Sequence, residues 1–213
     1  MAFSRWIKIT TLGLLASSSL LWGRFYIGVE GGYLGNEAVY SSEIKTPQKT
    51  ETEKKLKGNG GFGSLIFGTE HFFGKNYYGI RWGLSAGYGQ TKSSDSQWGD
   101  ITYHSLWAGA SFDMLYNFYA IQTFMTGLFT GVEYDFVLLE PKEKIDFGIN
   151  TKTNTHNLAV RVGLSTLFAN HHRLELMAKI PVWMQERSKS VGSSEYEFKY
   201  KFIQGLLAYK FIF

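Results

Sequence analysis

Tyr77–Gly89 reads YYGIRWGLSAGYG, and its period decides the fold. Tyr78, Ile80, Trp82, Leu84, Ala86 and Tyr88 fall on one face. Tyr77, Gly79, Arg81, Gly83, Ser85, Gly87 and Gly89 fall on the other. Successive side chains of a strand point to opposite faces, so this segment has one greasy wall and one small or polar wall. A soluble sheet hides its apolar face and charges the other to meet water. The second face here is Gly, Ser and one arginine, which suits a narrow interior better than an open solvent face.

The same alternation recurs outward along the chain. In His156–Phe168, Leu158, Val160, Val162, Leu164, Thr166 and Phe168 oppose Asn157, Ala159, Arg161, Gly163, Ser165 and Leu167. His172–Arg187 places Leu174, Leu176, Ala178, Ile180, Val182 and Met184 on one wall. Phe124–Phe136 does so with Leu128, Val132 and Tyr134. Eight strands are predicted, over 24–39, 59–72, 77–91, 101–116, 120–138, 154–168, 172–187 and 196–213. The facing of the second and fourth is left open. Tight turns are expected at Phe73–Asn76, Asn117–Tyr119 and Ala169–His171. Long polar connections are expected at Ser41–Lys57, Lys92–Asp100, Glu140–Thr153 and Ser188–Glu195. Three short turns, four long loops and both strand termini at the short-turn end predict an all-β fold, an eight-stranded antiparallel up-and-down transmembrane β-barrel. Aromatics cluster near the short turns (Phe25, Tyr26, Phe72, Phe73, Tyr77, Tyr78, Tyr116, Phe118, Tyr119, Phe168, Phe211, Phe213). A looser group lies toward the loops (Trp98, Tyr103, Tyr134, Phe136, Trp183, Tyr196). Two such girdles are expected at the two membrane–water interfaces.

Composition agrees. Aromatic residues make up 17% of the 213, with only 3 prolines, which argues against disorder. There is no cysteine, which excludes disulfides, Cys-ligated metal sites and a lipoprotein anchor. A mean hydropathy of −0.14 is no argument against a membrane barrel, because alternating strands cancel in the average. Arg5 and Lys8 precede the apolar, uncharged Ile9–Trp22, and Gly23 follows, a secretory signal pattern. The expected division is a signal peptide at 1–23 and a barrel at 24–213, with cleavage after Gly23 or, in competition, after Ser19. Without Arg5 and Lys8, 20 bases face 18 acids, too small an excess for nucleic-acid binding.

The chain ends Tyr-Lys-Phe-Ile-Phe, with Leu207, Tyr209, Phe211 and Phe213 on one face. This resembles the C-terminal signature by which outer-membrane proteins are recognised for assembly. The plan resembles small barrels of the OmpA/OmpX type. The texture of GVEGGYLG at 28–35 and FFGKNYYGIRWGLSAGYGQ at 72–90 is similar to the outer membrane protein family of Helicobacter and relatives. The resemblance implies a Gram-negative cell outer membrane, contact with its lipid and lipopolysaccharide, and handling by the barrel assembly machinery. It brings no active site.

Eight strands enclose a lumen that side chains just fill. The inward charges are read as Glu30, Glu70, Arg81, Asp113, Arg161, Glu175 and Lys179, with Lys210 as an eighth. Unpaired charges in a tight interior are costly, so a self-neutralising plug is expected, with a narrow porin-like channel for small solutes or ions as the alternative. In the last strand the aromatics Tyr196, Phe198, Tyr200 and Phe202 are even, whereas Leu207 to Phe213 are odd. The reading is a strand rising above the membrane with its aromatics over the lumen, and a β-bulge is the competitor. Enzyme chemistry finds no footing. His104 and Ser105 are adjacent and face apart, Glu133 and Asp135 are read as rim carboxylates, and His171-His172 lacks a third metal ligand. No cofactor is expected. The protein is expected to be a monomer with a structural or surface-interaction role, its loops meeting a host or other surface ligand.

Overall fold

The computed structural model describes residues 23–44, 50–95, 99–121, 123–142, 153–185, 187–191 and 194–213. The segment read as a signal peptide, apart from Gly23, lies outside them. Nine strands form: β1 (Arg24–Ile44), β2 (Thr50–Phe73), β3 (Tyr78–Asp95), β4 (Gly99–Ile121), β5 (Phe124–Pro141), β6 (Thr153–Phe168), β7 (His172–Met184), β8 (Arg187–Val191) and β9 (Ser194–Ile212). Each pairs antiparallel with its neighbour, and β1 closes the sheet against β9. β7 and β8 are two parts of one stave, both paired to β9 and interrupted at Gln185. The barrel therefore has eight staves.

Register fixes its geometry. Stepping between cross-strand partners from Arg24 leads through Glu70, Arg81, Asp113, Gly131, Arg161, Lys179 and Gln204 back to β1 at Leu34. From 24 to 34 the stagger is ten residues. Strands tilted by such a shear close without a free edge and leave an interior narrow enough for side chains to fill.

The alternation read from the sequence sorts the walls. Leu65, Leu84, Met114, Leu128, Leu164, Leu176 and Leu207 are exposed on the outside, while Ile66, Arg81, Asp113, Phe129, Arg161 and Glu175 are buried within. β2 turns its odd residues outward and β4 its even ones. β9 keeps its even residues inward from Phe202 to Ile212, and its ladder to β1 runs unbroken from Tyr26↔Ile212 to Ile44↔Ser194. There is no bulge in it, and Phe202 joins the buried apolar layer above the lumen. The side chains of Tyr196, Phe198 and Tyr200 lie outside those described.

The structure corrects several local expectations. Asn117–Tyr119 is a β-bulge rather than a turn, and β4 runs on to Ile121. A second irregularity pairs Ala159 with Pro181 but Leu158 with Trp183, so Val182 is extra. Proline cannot donate to a ladder, and bulges are where it is accommodated. The extra residue reverses the phase, so Trp183 faces out and Met184 packs against the inner apolar layer. Tyr26 and Tyr103, read as girdle residues, are buried inside. The segments read as long loops are partly strand. β1 and β2 extend to Ile44 and from Thr50, and β8 occupies part of Ser188–Glu195. Two short turns use left-handed backbone, at Gly74, Lys75 and Asn76 and at Ala169 and Asn170. Gly and Asn tolerate it, and Lys75 and Ala169 carry a cost of roughly 1–2 kcal/mol each.

Candidate functional site

The circuit of cross-strand partners that defines the shear also carries the charges. Glu70, Arg81 and Asp113 are consecutive partners across β2, β3 and β4, and Arg161 and Lys179 are partners across β6 and β7. All five side chains point into the lumen and are buried. Gly131 stands between Asp113 and Arg161 in this row. A Cβ there would collide with the Asp113 carboxylate, so the glycine makes room for the charge beside it.

Two groups of ion pairs share this belt. In the group nearer the short turns, the Arg81 guanidinium donates from Nε and Nη2 to Asp113 Oδ2 at 2.9 and 2.7 Å and from Nη1 to Glu175. Lys210 Nζ donates to the other Glu175 oxygen at 2.6 Å. Arg24 and Arg173 both reach Glu70 Oε1, at 2.7 and 3.0 Å, and both guanidinium groups lie over Phe72. Ser165 Oγ accepts from Arg173 and donates to Glu175. In the second group, Lys179 Nζ bridges Glu30 at 3.1 Å and Glu133 at 2.9 Å. Arg161 lies 3.2 Å from Glu133, 3.5 Å from Asp113 and 3.7 Å from Glu30. Its Nε and Nη1 make no well-directed hydrogen bond there, so these are charge contacts rather than aligned forks. Arg161 and Arg81 share Asp113, which joins the two groups.

Every residue read from the sequence as an inward charge is thus buried and in ion-pair contact, Glu70 with Arg24 and Arg173 and the others among themselves. The rim reading of Glu133 and Asp135 is wrong: both are buried in the lumen, and Glu133 is central to the belt. Arg173, which alternates with Leu174 and so shares the wall of Glu175 and Lys179, is a further buried lumen charge, and Lys210 is fully buried. Asp135 differs from the rest. Its Oδ2 accepts from Asn157 Nδ2 at 3.2 Å, its Oδ1 has no hydrogen-bond partner, and no base lies in ion-pair contact among the described residues.

Apolar layers flank the belt. Toward the loops lie Leu34, Ile101, Tyr103, Trp107, Val137, Leu139 and Phe202. Toward the short turns lie Tyr26, Ile66, Met125, Leu167 and Ile212. Of the residues weighed for catalysis, His104 faces out against the Tyr88 hydroxyl while Ser105 faces in and donates to the Gly89 carbonyl at 3.3 Å. His171 donates from Nδ1 to the Ile212 carbonyl and His172 bonds the Tyr209 hydroxyl. No grouping of three His, Asp or Glu side chains able to hold a metal ion occurs among the described residues. Leu207 and Phe213 are exposed on the outer wall, and the Phe213 amide donates to the Phe25 carbonyl at 2.8 Å.

A closed antiparallel barrel with a greasy outer wall, aromatic bands and a polar lumen is an outer-membrane β-barrel protein. The chain belongs to the Helicobacter outer membrane protein family, whose description it matches over residues 64–213. Its location is the cell outer membrane. Among solved structures, it is similar to the outer membrane protein OprG from Pseudomonas aeruginosa (13% identity, 89% of this chain and 97% of that one, TM-score 0.48). It is similar also to Neisserial surface protein A (12% identity, 86% and 95%, TM-score 0.35) and to Ail, the attachment invasion locus protein of Yersinia pestis (12% identity, 85% and 98%, TM-score 0.30). No curated protein matches the sequence.

Proposed function

We propose that this protein is a closed, side-chain-filled barrel that anchors its extracellular connections in the outer membrane and serves a structural or surface-interaction role. The observation that carries the reading is the circuit of buried, mutually paired charges that spans the lumen between two apolar layers. A conducting pore needs a continuous wet path, and charges that face a pore are solvated or bind the permeant ion. Here the cations and carboxylates spend their contacts on one another. The reading includes no catalytic step, and the barrel works as a monomer.

The test is the stability of the belt. A buried charge that loses its partner costs about 3–5 kcal/mol. Arg81→Ala and Arg161→Ala should each lower urea stability of the detergent-refolded barrel by that order. Lys57→Ala, at an exposed position of β2, should change it by less than about 0.5 kcal/mol. Unchanged stability in both arginine variants would mean that water solvates these charges, and the plug reading fails.

Residues 1–23 act, on this reading, as a secretory signal. N-terminal sequencing of the protein from outer membranes should begin at Arg24, or at Leu20 if cleavage follows Ser19. An intact Met1 terminus would sink it.

A further inference from the structure

All five histidines lie on the outer wall or in a turn at its end, and none is among the buried lumen residues. Three of them repeat one arrangement. His104 is the partner of Gln90, His156 of Phe136 and His172 of Phe211. In each case a tyrosine sits two residues along the partner strand: Tyr88, Tyr134 and Tyr209. The tyrosine ring packs against the imidazole at 5.8 Å and 25°, 5.8 Å and 25°, and 6.0 Å and 32°. The tyrosine hydroxyl meets Nδ1 each time, at 2.6 Å for Tyr134 and 2.7 Å for Tyr209.

The direction is conserved among the three. β3 and β5 run toward the loops, so His104 and His156 stand two rows closer to the loop end than Tyr88 and Tyr134. β9 runs toward the short turns, so His172 stands two rows closer to that end than Tyr209. The tyrosine is always toward the middle of the lipid-facing belt and the histidine toward water. Two dyads point toward the loop end of the outer wall and one toward its short-turn end.

We infer that these dyads are binding sites for the phosphate groups of membrane lipids, with the imidazole Nε2–H as the donor. A tyrosine at the interface keeps its ring in the acyl region and sends its hydroxyl toward polar groups. Here that hydroxyl is turned onto Nδ1. When it donates, the neutral imidazole carries its proton on Nε2. When the ring is protonated, both nitrogens donate. In both of these forms Nε2 offers an N–H, whereas the tautomer that donates from Nδ1 to the tyrosine oxygen leaves Nε2 an acceptor; the inference takes the tyrosine as donor, and Nε2 has no partner among the described residues. The phosphate groups of lipid headgroups are rich in acceptors, and the phosphatidylcholine headgroup has no donors. The dyad extends the tyrosine by one ring, from the greasy belt to the phosphate. A set of donors at both boundaries fixes the height of the barrel in the bilayer.

The experiment uses the full barrel with 15N-labelled histidine, reconstituted in vesicles of phosphatidylcholine and phosphatidylglycerol. Dipolar contact between imidazole 15N and lipid 31P is measured by solid-state magnetic resonance. His104→Phe, His156→Phe and His172→Phe keep a ring in the stack and assign the signals by their loss. The inference expects 31P contact at Nε2 of the dyad histidines, and weaker contact at His156 in Tyr134→Phe, where the imidazole loses its hydroxyl partner. The competing role is a clamp between strands only. It predicts Nε2 signals without 31P contact and unchanged between maltoside micelles and phospholipid vesicles, and that result overturns the inference. The outcome is independent of whether the lumen conducts.

Discussion

Asp135 and Glu133 are two residues apart on the inner face of β5, yet they answer to opposite rules. Glu133 holds Lys179 and Arg161 in ion-pair contact, whereas Asp135 has no base in ion-pair contact and accepts from the Asn157 amide beside the Glu133 carboxyl. Removing the charge of Glu133 leaves two buried cations short of a partner. Glu133→Gln should therefore cost about 3–5 kcal/mol in urea unfolding. Asp135→Asn removes a buried charge that has no base in ion-pair contact and a carboxyl neighbour in Glu133, so its effect should stay within about 1 kcal/mol, or stabilise. The reverse order of these two variants would mean that the belt is drawn around the wrong carboxylate. The sequence pattern placed both residues on one face but misjudged their height. A strand ending at residue 138 would put both near the rim. β5 continues to Pro141, and the stagger of ten lowers them into the lumen. Height in a sheared barrel is a property of all eight staves together, and one strand's alternation does not contain it.

Facing is the part of the fold that a single strand does contain. Tyr78–Gly89 alternates without interruption with its outer and inner residues as read, and only Tyr77, read as inner, lies instead in the exposed turn. Apart from Tyr26 and Tyr103, which face the lumen rather than a girdle, the failures sit where the ladder takes an extra residue. Phe118 and Val182 are both skipped in the pairing, and no residue type announces either defect except Pro181, which cannot donate to the ladder. The consequence is testable with tryptophan. Trp183 stands outside and is 52% exposed, whereas Trp107 faces the lumen and is 5% exposed. In variants that keep one of these two tryptophans, with the other tryptophans of the mature chain replaced by Phe, brominated phospholipid should quench Trp183 strongly and Trp107 little. Strong quenching of Trp107 together with a shielded Trp183 would put the phase of β4 and β7 in error.

For the whole molecule, closure and passage are separate questions. Closure rests on the β1–β9 ladder, whose last members are near the C-terminal Phe213. Phe213 is 63% exposed, so its side chain contributes little to the interior. If its main role is to be recognised during assembly, deleting it should lower the amount of barrel in outer membranes of cells while leaving refolding in detergent possible. Equal membrane levels with and without Phe213 would remove that role. Passage depends on the lumen, where buried ion pairs lie between apolar layers. The most direct measurement of this central claim is the electrical conductance of the refolded wild-type barrel in a planar phospholipid bilayer. The account predicts little or no steady current at moderate voltage, because paired charges and apolar layers leave ions no hydrated path. A steady, reproducible single-channel current from the wild type would contradict it and establish the narrow channel in its place.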